Sequence, residues 1–314
     1  MTDDVLVVGA GPGGLAAAIQ SRRHGLSVRL CECARPGGLL WNAHRVENYP
    51  GFPDGIPGPD LARAFLRQAD AAGVSITAEE ILKLDWEDGL FQAHTATATY
   101  AAKAVVVASG TRPRPMAGIR IPETLRERVA YEIAELLPLS GKRIIVVGGG
   151  DAAFDYALNL GQNNSVTIVN RGEEVKGLAL LKERAQACPK IDYRPGTIVR
   201  ALKVRPGGGI AAECSDPHGS FILRADYLVG AVGREPRRAF ISVSLLKRSS
   251  TLERRGIFHF VGDVKNGIFR QTAIAVGEGI RAGMGTAQAL KELSDEGDGL
   301  NRKGRHRPRL HRRV

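Results

Sequence analysis

The stretch Val7-Val8-Gly9-Ala10-Gly11-Pro12-Gly13-Gly14 decides the reading of this chain. A short apolar run enters a glycine turn, and Pro12 opens a helical pattern that stops before Gly25. Proline in the first turn and glycine past the last are the start and stop chemistry of a helix. The spacing is GxGxxG between a strand and a helix. Its glycines act by absence: they let the backbone approach a pyrophosphate and turn the helix amino end toward it. One such motif is weak alone. It returns as Val146-Val147-Gly148-Gly149-Gly150-Asp151-Ala152-Ala153, GxGxxA, again between strand and helix. A second strand follows each copy about 20 residues on, as a dinucleotide-binding unit requires. Two such units imply two dinucleotides, or one and a relic. Neither copy is a P-loop.

The copies differ where that second strand ends. Val28–Cys31 runs into Glu32. A carboxylate there can accept hydrogen bonds from both ribose hydroxyls and repels a 2′-phosphate, which fits the adenosine ribose of FAD. Val166–Val169 runs into Asn170-Arg171-Gly172, with the acid absent and a guanidinium present. Arg171, with Lys176, can pair with a 2′-phosphate, so NADPH is preferred over NADH.

Outward from the two motifs, apolar runs without polar alternation predict parallel strands buried on both faces. They are Val5–Val8, Val28–Cys31, Ala104–Ala108, Ile144–Val147, Val166–Val169, Tyr227–Ala231 and Phe258–Val261. Helical patterns lie near 12–24, 59–72, 151–160, 178–187 and 271–293. This alternation predicts an α/β fold with ligands at the carboxyl ends of the strands.

Composition excludes several classes. A hydrophobic share of 43% with 25% charged residues describes a packed chain rather than a disordered one. Four cysteines do not make a disulfide scaffold. No Cys/His cluster has zinc spacing, so no metal is expected. No apolar run approaches the ~20 residues that span a bilayer. Asp3 and Asp4 stand where a signal peptide would carry bases, which predicts a cytoplasmic protein with no membrane partner. The net charge is +11, from 44 Lys+Arg and 33 Asp+Glu. Seven of those bases (Arg302, Lys303, Arg305, Arg307, Arg309, Arg312, Arg313) crowd the last 13 residues, leaving +4 for residues 1–300. The segment 301–314 could neutralise phosphates but has no aromatic residue for base stacking. It reads as a disordered basic tail, and nucleic acid is not the expected partner.

Together these residues resemble the low-molecular-weight thioredoxin reductases and their relatives, in class II of the pyridine nucleotide–disulfide oxidoreductases. The resemblance covers roughly 4–292. Besides the two glycine motifs it rests on Gly37-Gly38, Val46-Glu47-Asn48-Tyr49-Pro50-Gly51-Phe52, Ala108-Ser109-Gly110, Val232-Gly233, Gly262-Asp263-Val264, Arg270-Gln271 and Gly277-Glu278-Gly279. It implies two Rossmann-like, three-layer dinucleotide-binding domains. The FAD domain is discontinuous (1–112 and 241–294), the NAD(P)H domain (113–240) is inserted, and a tail follows (295–314). It implies FAD contacts at Gly9, Gly11, Pro12, Gly14, Glu32, Gly38, Leu39, Asn48, Gly110, Gly262, Asp263, Arg270, Gln271 and Thr272. For NAD(P)H it implies Gly148, Gly150, Asp151, Ala152, Ala153, Arg171, Lys176 and Gly233. A homodimer and rotation of the nucleotide domain also follow from it. A helix starting near Gln271 would aim its positive end at the flavin pyrimidine edge, where reduction places negative charge.

One departure outweighs the rest. The family's reductases carry Cys-x-x-Cys just before the second glycine motif; the matching segment is Ala130-Tyr131-Glu132-Ile133-Ala134-Glu135. The four cysteines are poor substitutes. Alternation along a strand would point Cys31 and Cys33 the same way on either side of Glu32. Cys188 and Cys214 stand alone among charged or loop residues. Gly172 replaces a second arginine of the family's 2′-phosphate motif, so NADH can be tolerated. Leu39 replaces the glutamine of the usual Gly-Gly-Gln-Leu. No side chain is assigned as catalytic: hydride passes between nicotinamide and flavin, and electrons leave the flavin for an external acceptor. Ferredoxin–NADP reductases of this scaffold also lack the dithiol, so an acidic ferredoxin-type partner is the first expectation. The alternatives are a disulfide reductase working without the usual dithiol, and a non-catalytic flavin sensor or interaction module.

Overall fold

The computed structural model describes residues 2–175 and 177–304. The chain divides into two compact units. The first comprises the chain up to Gly38, Arg63–Gly110 and the chain from Pro236 onward; the second comprises Leu39–Ala62 and Thr111–Glu235. This differs from the sequence boundaries at 39–62, which pack with the second unit.

In the first unit a seven-stranded sheet is built around Thr2–Val8. Val28–Cys31 flanks it on one side and Thr99–Val107 on the other, both parallel to it. Phe258–Phe260 pairs in parallel with Thr99–Val107. An antiparallel pair, Lys83–Glu87 and Leu90–His94, extends the sheet beyond the strands read from sequence. Val5–Val8 and Ala104–Val107 are buried, the reason their sequences carry no alternation. The helix Pro12–Arg23 packs against the long helix Thr272–Gly304. Their contact depends on small residues: a Cβ on Gly279 would overlap the carbonyl oxygen of Gly13, and one on Gly13 would stand 3.0 Å from Ala275 O. The long helix runs ten residues into the stretch expected as a disordered tail. The end of that tail, and Lys176, lie outside the described residues.

In the second unit a five-stranded parallel sheet has the order Ile191–Arg194, Ser165–Val169, Arg143–Val147, Tyr227–Gly230, Val129–Ala130. A three-stranded antiparallel sheet, Ile198–Val204, Ile210–Asp216 and Gly219–Ala225, joins it. These three are not among the strands named from the apolar runs, although Ile210, Ala212 and Cys214 are buried in alternation with Ala211, Glu213 and Ser215. Cys214 is therefore a buried strand residue, not a loop residue.

Candidate functional site

Register brings the first unit's candidates to one edge. Val8 lies level with Cys31 and with Val107, and Val107 lies level with Phe260. The residues that follow, Gly9, Glu32, Ala108–Gly110 and Val261–Asp263, therefore emerge together at the carboxyl ends of four strands. Gly9 has φ +101°, and a Cβ there would stand 2.5 Å from Ala108 O. A Cβ on Gly14 would overlap Gly9 O, so the helix lies directly against the turn. Gly11 differs: a Cβ there would meet nothing within 4 Å. Its backbone is extended, and it precedes a helix whose first turn receives no side-chain cap. Open space faces uncapped N–H groups at the positive end of a helix dipole, the condition for holding a pyrophosphate. The residues therefore fit a dinucleotide.

The flanking groups are fixed by hydrogen bonds. Glu32 Oε2 accepts from Ala10 N–H at 2.7 Å, and Oε1 accepts from Ala34 N–H at 2.9 Å. These bonds hold the carboxylate beside the glycine turn and leave lone pairs for ribose hydroxyls. Gly38, φ +59°, would bring a Cβ within 3.2 Å of Gly11 Cα. Gly262 would bring one within 3.2 Å of Ala275 Cβ, so the Gly262–Val264 turn sits against the first turns of the helix beginning at Thr272. Arg270 and Gln271 immediately precede that helix. Leu39 and Asn48 belong to the second unit's contacts.

The resemblance brought in Glu278 only as part of Gly277-Glu278-Gly279; the structure defines its role. Its Oε2 accepts from Gly262 N–H at 2.7 Å and from Asn266 Nδ2 at 2.9 Å. Lys265 Nζ stands 3.3 Å from Oε1. Glu278→Gln would turn an acceptor-only group into one that presents an amide donor to another donor. A drop of about 1–3 kcal/mol in stability is expected from bonds to a lost carboxylate, together with weaker FAD retention. Denaturant unfolding and flavin content after gel filtration check both.

The second unit repeats the arrangement. Val147 lies level with Val169 on one side and Gly230 on the other. Gly148, Asn170–Arg171 and Ala231–Gly233 thus share one carboxyl edge. Gly150 is the extended N-cap of Asp151–Leu160, without a side-chain cap, and a Cβ there would meet nothing within 4 Å. Asp151 Oδ1 accepts from Leu178 N–H at 2.6 Å, tying the loop after Arg171 to the helix start. Ala152 is exposed and Ala153 buried. Asn170 is buried against Gly149, and its side chain bonds Glu174 O, Tyr193 Oη and Gly172 N–H. Arg171 is exposed at the strand end. A further polar group was not read from sequence: burial pushes the Asp155 carboxyl up to about 6, although it accepts His44 N–H at 3.1 Å.

The segment matching the family's dithiol has a clear local structure. Asn42, 2% exposed, accepts Ile133 N–H and Ala134 N–H on one oxygen at 2.8 and 2.9 Å. Glu132 is paired with Arg234 Nη2 at 2.8 Å. A fixed turn carrying a carboxylate thus stands where the relay would be.

The cysteines correct one expectation. The strand ends at Cys31, so alternation does not continue: Cys31 is buried and Cys33 exposed. Burial pushes the Cys31 and Cys214 thiols up to about 11. Cys33 Sγ lies 3.3 Å from Arg237 Nη1, yet its thiol is also raised, by burial and then by Glu32. All four cysteines are free. Among the described residues no group of three or more His, Cys, Asp or Glu could hold a metal, and no helix is long and apolar enough to cross a membrane.

Comparison with known proteins agrees with this geometry. Residues 3–279 match the family described as pyridine nucleotide-disulphide oxidoreductase. The chain is 31% identical to a thioredoxin reductase of Listeria innocua over 308 residues, covering 93% of this chain and 95% of that protein. The thioredoxin reductase of Streptomyces clavuligerus gives the same identity and coverage. Among solved structures, Lactococcus lactis thioredoxin reductase in its FR conformation superposes with a TM-score of 0.82 at 25% identity, covering 93% of this chain and all of that one. The chain belongs to the pyridine nucleotide-disulphide oxidoreductase family, as an FAD-containing oxidoreductase of thioredoxin reductase type that uses NADPH.

Proposed function

We propose that the chain takes hydride from NADPH and passes the electrons through FAD directly to an external acceptor, an acidic protein of ferredoxin type. One observation carries the reading. The segment 130–135 has no cysteine, and of the four present two are buried with raised pKa values. A thiol is nucleophilic as thiolate, so these two are inert at neutral pH.

The site residues have separate tasks in this reading. The Gly9–Gly14 turn and the helix start behind it hold the FAD pyrophosphate, with Pro12 setting the first helical residue. Glu32 accepts from the adenosine ribose. Gly38 closes against Gly11, with Gly110 at the same edge; Leu39 and Asn48, on the second unit, are the remaining candidates for FAD contact. Asp263, in the turn held by Glu278, accepts from a ribitol hydroxyl, and the helix start at Arg270-Gln271-Thr272 faces the flavin pyrimidine edge. Gly148–Ala153 hold the NADPH pyrophosphate. Arg171 and Lys176 take the 2′-phosphate, and Gly233 lets the backbone approach. Bound FAD supplies a two-electron acceptor for hydride that can release electrons one at a time. The chain's contribution is position, charge and exclusion of water.

A cytoplasmic location and a homodimer belong to the same proposal. Cell fractionation tests the first, and sedimentation at the monomer mass alone would remove the second.

The relatives' names favour a second reading, reduction of a disulfide substrate. Turnover with NADPH against ferredoxins, quinones, dyes and disulfides separates the two. We expect ferredoxin reduction above the oxygen background, retained when Cys31, Cys33, Cys188 and Cys214 are all replaced by alanine. Activity confined to disulfides and lost in that variant would establish the second reading instead.

A further inference from the structure

The basic excess of the folded body is local. Residues 237–255 carry six bases (Arg237, Arg238, Lys247, Arg248, Arg254, Arg255) and one acid, Glu253, a net +5. Residues 1–300 total +4, so the rest of them sum to −1. The structure sorts these bases into two groups. Arg237 and Arg238 are anchors. Arg237 pairs with Glu80 at 2.5 Å. Arg238 donates from Nε and Nη2 to Val264 O at 3.1 and 2.6 Å, with its guanidinium 4.5 Å over the Phe260 ring. Arg238 fastens the segment to the turn that bears Asp263, and Arg237 ties it to Glu80.

The other four lie on or beside the helix Val243–Arg254. Ser242 caps it by accepting Leu245 N–H, and its own N–H donates to Leu84 O. Leu245 and Leu252 form the buried face. Lys247, Arg248, Arg254 and Arg255 are exposed, and among the described residues no ion pair involves any of them. Elsewhere in this unit Arg29, Lys83 and Lys103 are each matched by an aspartate, whereas the exposed Arg22, Arg23, Arg67 and Arg281 are scattered over other elements. Two apolar side chains stand exposed on the same helix, Val243 at 69% and Leu246 at 38%. Unmatched cations along a helix that also exposes two apolar side chains in its first turn suit a protein surface of opposite charge.

We infer that the outer face of the helix Val243–Arg254 is the docking surface for an acidic electron-transfer protein. The inference rests on the proposal that electrons leave to an external acceptor, and it specifies where that acceptor binds. Electrostatic attraction of this kind raises the association rate and weakens with salt once charges are more than about one Debye length apart, about 10 Å at 0.1 M.

The test compares wild type with Lys247→Glu/Arg248→Glu and with Arg254→Glu/Arg255→Glu. The probes are an acidic ferredoxin and a small uncharged dye. We expect at least a roughly tenfold rise in KM for ferredoxin at low ionic strength, unchanged dye reduction, and convergence of variants and wild type at high salt. Biosensor binding of ferredoxin to the flavin-loaded protein should weaken in parallel. If the variants reduce and bind ferredoxin like wild type at low salt, the partner docks elsewhere, and the external-acceptor reading survives. If wild type reduces only disulfides, that reading fails and the surface falls with it.

Discussion

Replacing Gly11 by aspartate is expected to give a folded protein that purifies without flavin. The backbone at Gly11 is extended rather than left-handed, and a Cβ there has open space around it. The new side chain therefore creates no clash. Aspartate is also a favoured N-cap, and its carboxylate would accept the N–H groups of the first turn, adding about 1 kcal/mol to the helix. Those are the donors a pyrophosphate needs. Two unit charges 4 Å apart repel by roughly 4 kcal/mol at an effective dielectric of 20, so FAD affinity should fall by about a thousandfold. Gly150→Asp repeats the experiment in the second unit, where the N-cap is again extended, uncapped and open. It should keep its flavin colour and lose NADPH binding. Flavin absorbance, NADPH titration and thermal unfolding of both variants decide the matter. Loss of both cofactors in either variant, or a collapse of the melting temperature, would contradict these assignments.

Arg171→Glu should reverse the nicotinamide preference. Arg171 is exposed at the strand end, beside a turn that Asn170 holds in place from within. Charge reversal leaves that turn intact. It removes charge-assisted hydrogen bonds to the 2′-phosphate, worth about 1.5–3 kcal/mol, and sets an acid against the phosphate. KM for NADPH should rise about a hundredfold. NADH should be used as well as before or better, because the variant then resembles the first turn, where Glu32 suits two ribose hydroxyls. The measurement is the ratio of kcat/KM for the two nucleotides. An equal change for both would place Arg171 away from the 2′-position.

The parts of this fold set by local chemistry were legible in the chain. Strands buried on both faces, such as Val5–Val8 and Ile144–Val147, read as continuous apolar runs. The glycine turns stand out because no other residue type allows so close an approach of backbone to turn. The missing dithiol was legible because the resemblance says where the family's pair would stand, and residues 130–135 hold no cysteine. The alternation at Ile210–Asp216 was present but short; an alanine and a cysteine on its buried face, and another alanine on the opposite face, weaken the contrast that defines a half-buried strand.

What the linear chain determined by itself was the α/β class, the two dinucleotide turns, the carboxylate–guanidinium contrast between them and the absent relay. All depend on residues within about 25 positions of one another, where strand and turn geometry fix the outcome. Tertiary structure decided the rest, because it depends on groups brought together from distant positions. Glu278 reaches the Gly262 turn across a helix packing that small residues permit. Asn42 pins residues 133 and 134 from more than 90 positions away. Cys31 and Cys33 part company because the strand stops between them and the core covers only the first. Which of the many lysines and arginines are matched by an acid, and which four on or beside one helix are not, could be known only once the acids had found their partners.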